Sequence, residues 1–352
     1  MKIVNIMIAR GLGGIEQAFL DYNNALLAQG FDVLAITDKR AQINEKITPH
    51  QNLKQCKIRF SHLNLFLIWT FYRCFKKYQP DLIIVHSKKA LELVIAATKM
   101  LGIKVVGVAH NPKFKHLEKC AAIFSITQHQ KRIFAGYGFP ADKIFVIPNL
   151  VSEPQPFRPM PPYHQPPVIG AVGRFDPMKG FCDYILALAE LKKRGVPFQA
   201  VLGGGASATY AHEDAKIRKL ITDNRLENDV KLLGWIKDKG EFYKSLDIFV
   251  LPSNFEPFGI VLLEAMNYSL PIVTSLAEGP AEIFADHKDA AYTFRIKEVN
   301  ELADKLQYAL EHYEQTKKVA ENGYNLLQNN YTLPQVAKKL AAAVTSALKG
   351  KI

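Results

Sequence analysis

Residues 3–36, IVNIMIARGLGGIEQAFLDYNNALLAQGFDVLAI, decide the fold. Ile3 to Ile8 reads as a buried strand. From Ile15 to Ala28 the apolar residues Ile15, Ala18, Phe19, Tyr22 and Leu26 recur at helical spacing. Gly30 closes that helix, and Phe31 to Ile36 makes a second strand. Strand, glycine turn, helix and strand in so short a stretch form the repeating unit of a parallel sheet.

The rhythm continues outward. Leu82–Val85, Val105–Ala109, Ala122–Ile126 and Phe145–Ile147 are further strand candidates. Residues 152–167, SEPQPFRPMPPYHQPP, then hold seven prolines, which stiffen the backbone and mark a linker. Beyond it the pattern restarts with strand Val168–Val172 and a helix through Tyr184, Leu188 and Leu191. Gln199–Leu202, Val230–Leu232, Ile248–Leu251 and Ile272–Thr274 follow as strands. The expectation is an α/β protein of two Rossmann-like parallel-sheet domains, residues 1–155 and 168–333, with ligands beyond the carboxyl ends of the strands and a deep cleft between the domains as the site. The alanine-rich helical pattern Pro334–Lys349, in the closing segment 334–352, packs on the second domain or crosses back to the first; joining the first is the expectation.

The 352 residues fit two domains, and 48% hydrophobic with 22% charged residues excludes wholesale disorder. Cys56, Cys74, Cys120 and Cys182 form no CxxC pair, which speaks against a zinc ribbon or a disulfide scaffold and for a reducing compartment. No apolar run reaches the ~18–20 residues of a membrane span. The run Ile3–Ala9 feeds into a glycine turn rather than a signal-peptide cleavage site. The net charge of +12 lies wholly in the first half: residues 1–160 hold 22 Lys+Arg against 10 Asp+Glu, and the remainder holds 23 of each. A basic half-protein points to an anionic partner, whether nucleic acid, a membrane surface or a phosphorylated substrate, or else to solvated lysines.

Three segments carry chemistry. Gly11-Leu12-Gly13-Gly14-Ile15-Glu16 joins the first strand to the first helix; its amides suit a phosphate, although the turn could be only a tight connection. Position 16 is Glu, so the GxGxxG fingerprint is not met, and no Walker A pattern exists. Gly173-Arg174-Phe175-Asp176-Pro177-Met178-Lys179-Gly180 opens the second domain, with Arg174 and Lys179 as cations for a diphosphate, or as solvated surface charges. Ser253 to Ala265, SNFEPFGIVLLEA, places Glu256 in a loop before Pro257, which suits a first helical turn, and Glu264 within the helix. The N–H groups of Phe258, Gly259, Ile260 and Val261 are then free for an anion. The carboxylates suit sugar hydroxyls, so the pairing fits a nucleotide-sugar. The alternative for Glu264 is a solvated helix residue, but its neighbours Ile260 to Leu263 and Met266 read as a buried helix, where an unpaired carboxylate is costly.

The chain resembles glycosyltransferase family 4 in GRFDPMKG, in the ExFGxxxxE pattern from Glu256 to Glu264, in GLGGIE and in Ile147-Pro148-Asn149. These are group 1 enzymes, such as lipopolysaccharide-core glucosyltransferases, with retaining chemistry and the two-domain GT-B fold. The resemblance implies that Gly13 and Gly14 approach the donor diphosphate and that Arg174 and Lys179, beside Gly173, neutralise it. Glu264 would hold the ribose hydroxyls, Glu256 would lie by the transferred sugar, and Phe258 to Val261 would complete the contacts. His110, otherwise a structural histidine at a strand end, would lie near the anomeric centre, and Trp235 near the base. Gln17, Leu150, Ser269 and Ala277-Glu278-Gly279-Pro280 depart from the family pattern and bear on the sugar identity. The resemblance also implies a nucleotide-diphosphate sugar, a UDP-hexose, as co-substrate, with no cofactor and no metal; the sequence has no DxD and no His/Cys cluster.

In similar enzymes the first domain holds the acceptor. Here Phe60–Tyr78 mixes aromatics with Arg73, Lys76 and Lys77, and Lys113, Lys115, His116 and Lys119 form a second basic cluster. Such a surface can lie on an anionic bilayer, or be an amphipathic core helix with lysines outside. The expectation is a cytoplasmic enzyme, peripheral on the inner membrane face, acting on a lipid-linked or phosphorylated glycan such as lipopolysaccharide core. A nucleotide-sugar epimerase of the same shape is the rival enzyme. A nucleic-acid-binding role lacks a recognition motif. A dehydrogenase could use Asp38 after the second strand, but the glycines do not fit.

Overall fold

The structure is a computed structural model that describes residues 1–11, 13–47, 52–56, 65–112, 116–206 and 208–349. The chain divides into two units: Met1–Glu153 with Tyr331–Ile352, and Pro154–Asn330.

The first unit holds β1 (Lys2–Met7), α1 (Gly14–Ala28), β2 (Asp32–Asp38), β3 (Asn52–Cys56), α2 (Leu65–Tyr78), β4 (Leu82–Val85), α3 (Lys88–Thr98), β5 (Lys104–Ala109), β6 (Ala122–Ser125), α4 (Gln128–Gly136) and β7 (Ile144–Val146). The strands pair in parallel in the order β3-β2-β1-β4-β5-β6-β7. Helices cover both faces, so β4 is buried throughout and reads as an unbroken apolar run rather than an alternation. Asn5 is the polar exception in β1. Its amide donates to Phe19 O at 3.2 Å and Asn23 Oδ1 at 3.1 Å, tying the strand to α1. Ser87 and Thr127 cap α3 and α4 through their hydroxyls.

The second unit holds β8 (Val168–Phe175), α5 (Phe181–Lys193), β9 (Gln199–Ala206), α6 (Ala211–Asp223), β10 (Val230–Gly234), α7 (Lys239–Lys244), β11 (Ile248–Leu251), α8 (Ile260–Asn267), β12 (Ile272–Ser275), α9 (Glu278–Ile283), β13 (Tyr292–Phe294), α10 (Val299–Glu311) and α11 (Tyr313–Asn330). Its strand order, β10-β9-β8-β11-β12-β13, is that of a dinucleotide-binding sheet. The proline-rich stretch is bonded to this unit from Gln155 onward. Gln155 N donates to Asn267 Oδ1 at 2.8 Å, Tyr163 OH to Ala309 O at 2.7 Å, and Val168 N to Asp247 Oδ2 at 2.6 Å. The chain then returns to the first unit as α12 (Leu333–Lys349), which buries Val336, Leu340 and Val344 with Tyr22 and Leu26 of α1.

Two differences from the sequence reading have physical causes. The edge strands β3 and β13 carry no apolar run, since an edge needs little burial. Strands β8 and β9 run on to Phe175 and Ala206, so Gly173 and Arg174 are strand residues rather than turn residues. Glycine permits that extension. Gly204 adopts φ +127°, and a Cβ there would lie 1.8 Å from Gly173 O.

Gly204→Ala should therefore lower the melting temperature by more than about 5 °C, from strain and collision together. Gly195→Ala, also at positive φ but with open space around it, should cost only about 1 kcal/mol. Calorimetry on the two variants checks this; equal shifts would count against the backbone contact.

Candidate active site

In the second unit the candidates gather where β8 and β11 end. After β8, Asp176 accepts from Met178 N at 2.9 Å and caps a short 3-10 turn that presents Lys179. Gly180 then takes φ +67°, and a Cβ there would lie 2.0 Å from Pro252 O, so this turn packs directly on the chain leaving β11. Asn254 N and Phe255 N donate to Met178 O at 2.8 and 3.1 Å, stitching the two loops together. This places Lys179 Nζ 2.7 Å from Glu256 Oε2, with both side chains largely out of water. Glu256 is fixed from behind as well, because its carbonyl accepts from Gly279 N at 2.8 Å. Arg174 is mostly exposed, with its guanidinium 3.8 Å from Asp176.

Pro257 does not begin the following helix. Gly259 takes φ +101° as the N-cap, and α8 starts at Ile260, so Phe258 and Gly259 precede it. The amides of Ile260 and Val261 lie in its first turn, where a helix offers no carbonyl to receive them. Glu264 is half-buried in α8, as the apolar neighbours implied, and it has two partners. Lys239 Nζ binds one carboxylate oxygen, and Tyr243 OH donates to the other at 2.8 Å. Burial, then the Glu264 charge, pushes the Tyr243 hydroxyl well above its ordinary range, so it stays a donor. Lys239 and Tyr243 were missed in the sequence, since neither stands in a motif. Trp235 follows β10 with its ring mostly exposed; a Cβ on Gly205 would lie 3.1 Å from its Nε1. The run Gly203-Gly204-Gly205 at a strand's carboxyl end was the available signal for that contact.

In the first unit Gly13 is the N-cap of α1 and Gly14 its first residue; both are exposed. His110 follows β5 and is buried. Its Nε2 lies 3.1 Å from Nδ1 of His86, the residue after β4, with the rings stacked at 5.2 Å. The strands β4 and β5 are paired neighbours, which is why the two histidines meet. Asp38, the residue a dehydrogenase would offer to a ribose, is held instead by Arg10 Nε at 3.3 Å and Arg40 Nη2 at 3.2 Å.

On α2, Leu67, Phe71 and Phe75 are buried while Leu65, Phe66 and Trp69 are exposed. Arg73 lies over the Trp69 ring at 4.8 Å, and Lys76 over Tyr72 at 5.9 Å. Lys77 completes the basic last turn. Lys113 and Lys115 lie outside the described residues. His116 lies 3.4 Å from Glu92 and 3.6 Å from Glu118. No helix of the described residues is long and apolar enough to cross a membrane.

The family model "Glycosyl transferases group 1" matches residues 154–326, and "Glycosyltransferase Family 4" matches residues 12–153. Two lipopolysaccharide core biosynthesis glycosyltransferases of Rhizobium meliloti (strain 1021), LpsD and LpsE, are each 25% identical, over 299 and 291 residues. Those alignments cover 82% and 81% of this chain and 82% of each relative. The crystal structure of Anabaena Alr3699/HepE in complex with UDP and glucose superposes with a TM-score of 0.83 at 22% identity, covering 98% of this chain and 100% of that one. That likeness gives the fold: two Rossmann-like parallel-sheet domains of the GT-B type.

Burial pushes the His110 imidazolium down to about 4 and His86 well below its usual value, the latter also because His110 lies beside it. An unfolded chain takes up these protons near pH 6.5, and the folded chain resists them. Stability is thus undiminished above pH 6.5 and falls as the pH drops from there towards 4. His110 alone should remove about 2 kcal/mol between pH 7 and pH 5. Urea midpoints should show this slope, flattened in a His86→Asn/His110→Asn chain; identical slopes would contradict a neutral buried pair.

Proposed function

The chain belongs to the group 1 glycosyltransferases, and on that premise we propose that it moves a hexose from a UDP-sugar to a lipid-linked glycan, with retention at the anomeric carbon. The observation that carries this reading is the 2.7 Å pairing of Lys179 with Glu256, brought together by the loops that follow β8 and β11 in the unit that also holds Arg174 and Glu264. Cations and carboxylates side by side suit a ligand that is part diphosphate and part polyol.

Lys179 and Arg174 offset the diphosphate charge as it grows on departure, and the first-turn amides of α8 add donors. Lys179 has three N–H groups, so holding Glu256 leaves it able to bind a phosphate oxygen. Each oxygen of Glu264 keeps a further lone pair for a ribose hydroxyl while Lys239 and Tyr243 hold the group in place. Glu256 accepts from hydroxyls of the transferred sugar, and Trp235 borders the base. Gly13 and Gly14 supply amides to a phosphate, and His110 meets the sugar. In the transfer the anomeric carbon–phosphate oxygen bond breaks. The acceptor oxygen bonds that carbon on the same face, and its proton passes to the departing phosphate oxygen. The chemistry is carried by these groups, with neither cofactor nor metal assigned a role.

For the acceptor, the likeness to lipopolysaccharide core enzymes and the exposed Phe66, Trp69, Arg73 and Lys76 on α2 support a glycan at an anionic membrane face, such as lipopolysaccharide core.

A screen of nucleotide-sugars should find turnover with a UDP-hexose and an α-linked product by NMR if the donor is α-linked. Lys179→Ala and Glu264→Ala should each lower kcat/KM about 100-fold or more with the fold kept; wild-type rates would refute the site. Vesicles of anionic lipid should retain the protein at low salt and lose it in a Phe66→Ser/Trp69→Ser chain. Equal partition of both proteins would refute the membrane reading.

A further inference from the structure

We propose that His86 is a positioning residue that locks His110 into a single tautomer, so that His110 meets the sugar as a hydrogen-bond donor through Nδ1. This rests on the reading that His110 faces the donor sugar.

The 3.1 Å contact joins His86 Nδ1 to His110 Nε2, and two bare nitrogens repel, so one of them carries a proton. Both rings are buried, His86 to 1% exposure and His110 to 8%. Phe19 and Tyr22 pack near-perpendicular to the His86 ring, with centroids 5.5 and 4.8 Å away. The decisive atom is His86 Nε2, which is buried with no hydrogen-bond partner among the described residues. Were the shared proton on His110, the neutral His86 would carry its own on Nε2 as an orphaned N–H. With the proton on His86 Nδ1, Nε2 is a bare acceptor, the less costly group to leave unpaired. His86 is then the donor, His110 Nε2 accepts, and the one proton of neutral His110 resides on Nδ1. No other hydrogen bond to His110 exists among the described residues, so His86 is the one group that sets its ring.

The order of the strands explains the pairing. His86 and His110 each follow a strand, and those strands are adjacent in the sheet, so one ring supports the other at the carboxyl edge where ligands bind. A donor fixed here suits an oxygen of the sugar as charge shifts at the anomeric carbon.

The test uses full-length protein labelled with 15N-histidine. Wild-type His110 should show a protonated Nδ1 and a bare Nε2. His86→Leu should leave His110 in mixed tautomers and lower kcat about 10- to 100-fold, with the donor KM within about twofold, since a small misplacement of a reacting group costs this much. His86→Asn, whose amide can offer an N–H at the place of Nδ1, should restore most of kcat and the tautomer. A protonated Nε2 on wild-type His110, or a His86→Leu chain with unchanged tautomer and kcat, would overturn the proposal. His110→Leu separates the two readings. If it turns over normally, the assignment of His110 to the site fails, while the NMR arm still decides what His86 does.

Discussion

The second unit is organised by an ion pair taken largely out of water. Lys179 and Glu256 lie 2.7 Å apart, and each offsets part of the cost of holding the other's charge away from water. Their loops are held by backbone contacts rather than by side chains: Gly180 packs on Pro252 O, and Met178 O receives two amides from the facing loop. Because the scaffold is main chain, the pair's geometry is set before any ligand arrives. Such preorganisation is what electrostatic stabilisation of a leaving group requires.

In the first unit buried Asp38 is likewise paired, with Arg10 and Arg40, but the polar groups after β4 and β5 are uncharged: His86 lies against His110 under Tyr22, and nearby Asn5 bonds Asn23. Burial holds both histidines below their usual proton affinity, so this centre offers directional donors and acceptors rather than net charge. The excess positive charge of this half lies outside, on surfaces such as the last turn of α2, where water solvates it. Two electrostatic tasks are thus separated in this chain. One largely buried ion pair in the second unit, Lys179 with Glu256, stands where the diphosphate is proposed to bind, and exposed cations in the first stand where an anionic surface is proposed.

Much of this was legible in order along the chain. The glycine turns, the apolar strands and the spacing of Glu256 to Glu264 are local signals, and local signals survive in one dimension. Glu264 in a run of Ile, Val and Leu announced that it needs a partner. The identity of that partner was not legible, because Lys239 and Tyr243 lie on α7, and only the packing of α7 beside α8 delivers them. The edge strands β3 and β13 escaped notice because an edge position relaxes the demand for apolar residues that makes inner strands readable.

Two parallel-sheet units, their family and the carboxylates and cations proposed to bear the chemistry could be read along the chain, since period, glycine placement and motif spacing are properties of neighbouring residues. Tertiary structure alone decided the pairings: Lys179 with Glu256, Glu264 with Lys239 and Tyr243, His86 with His110. Those partners are 77, 25, 21 and 24 residues apart. Parallel strands joined by helices return every carboxyl end to one edge, and residues distant in the chain become neighbours only once that sheet has closed its register.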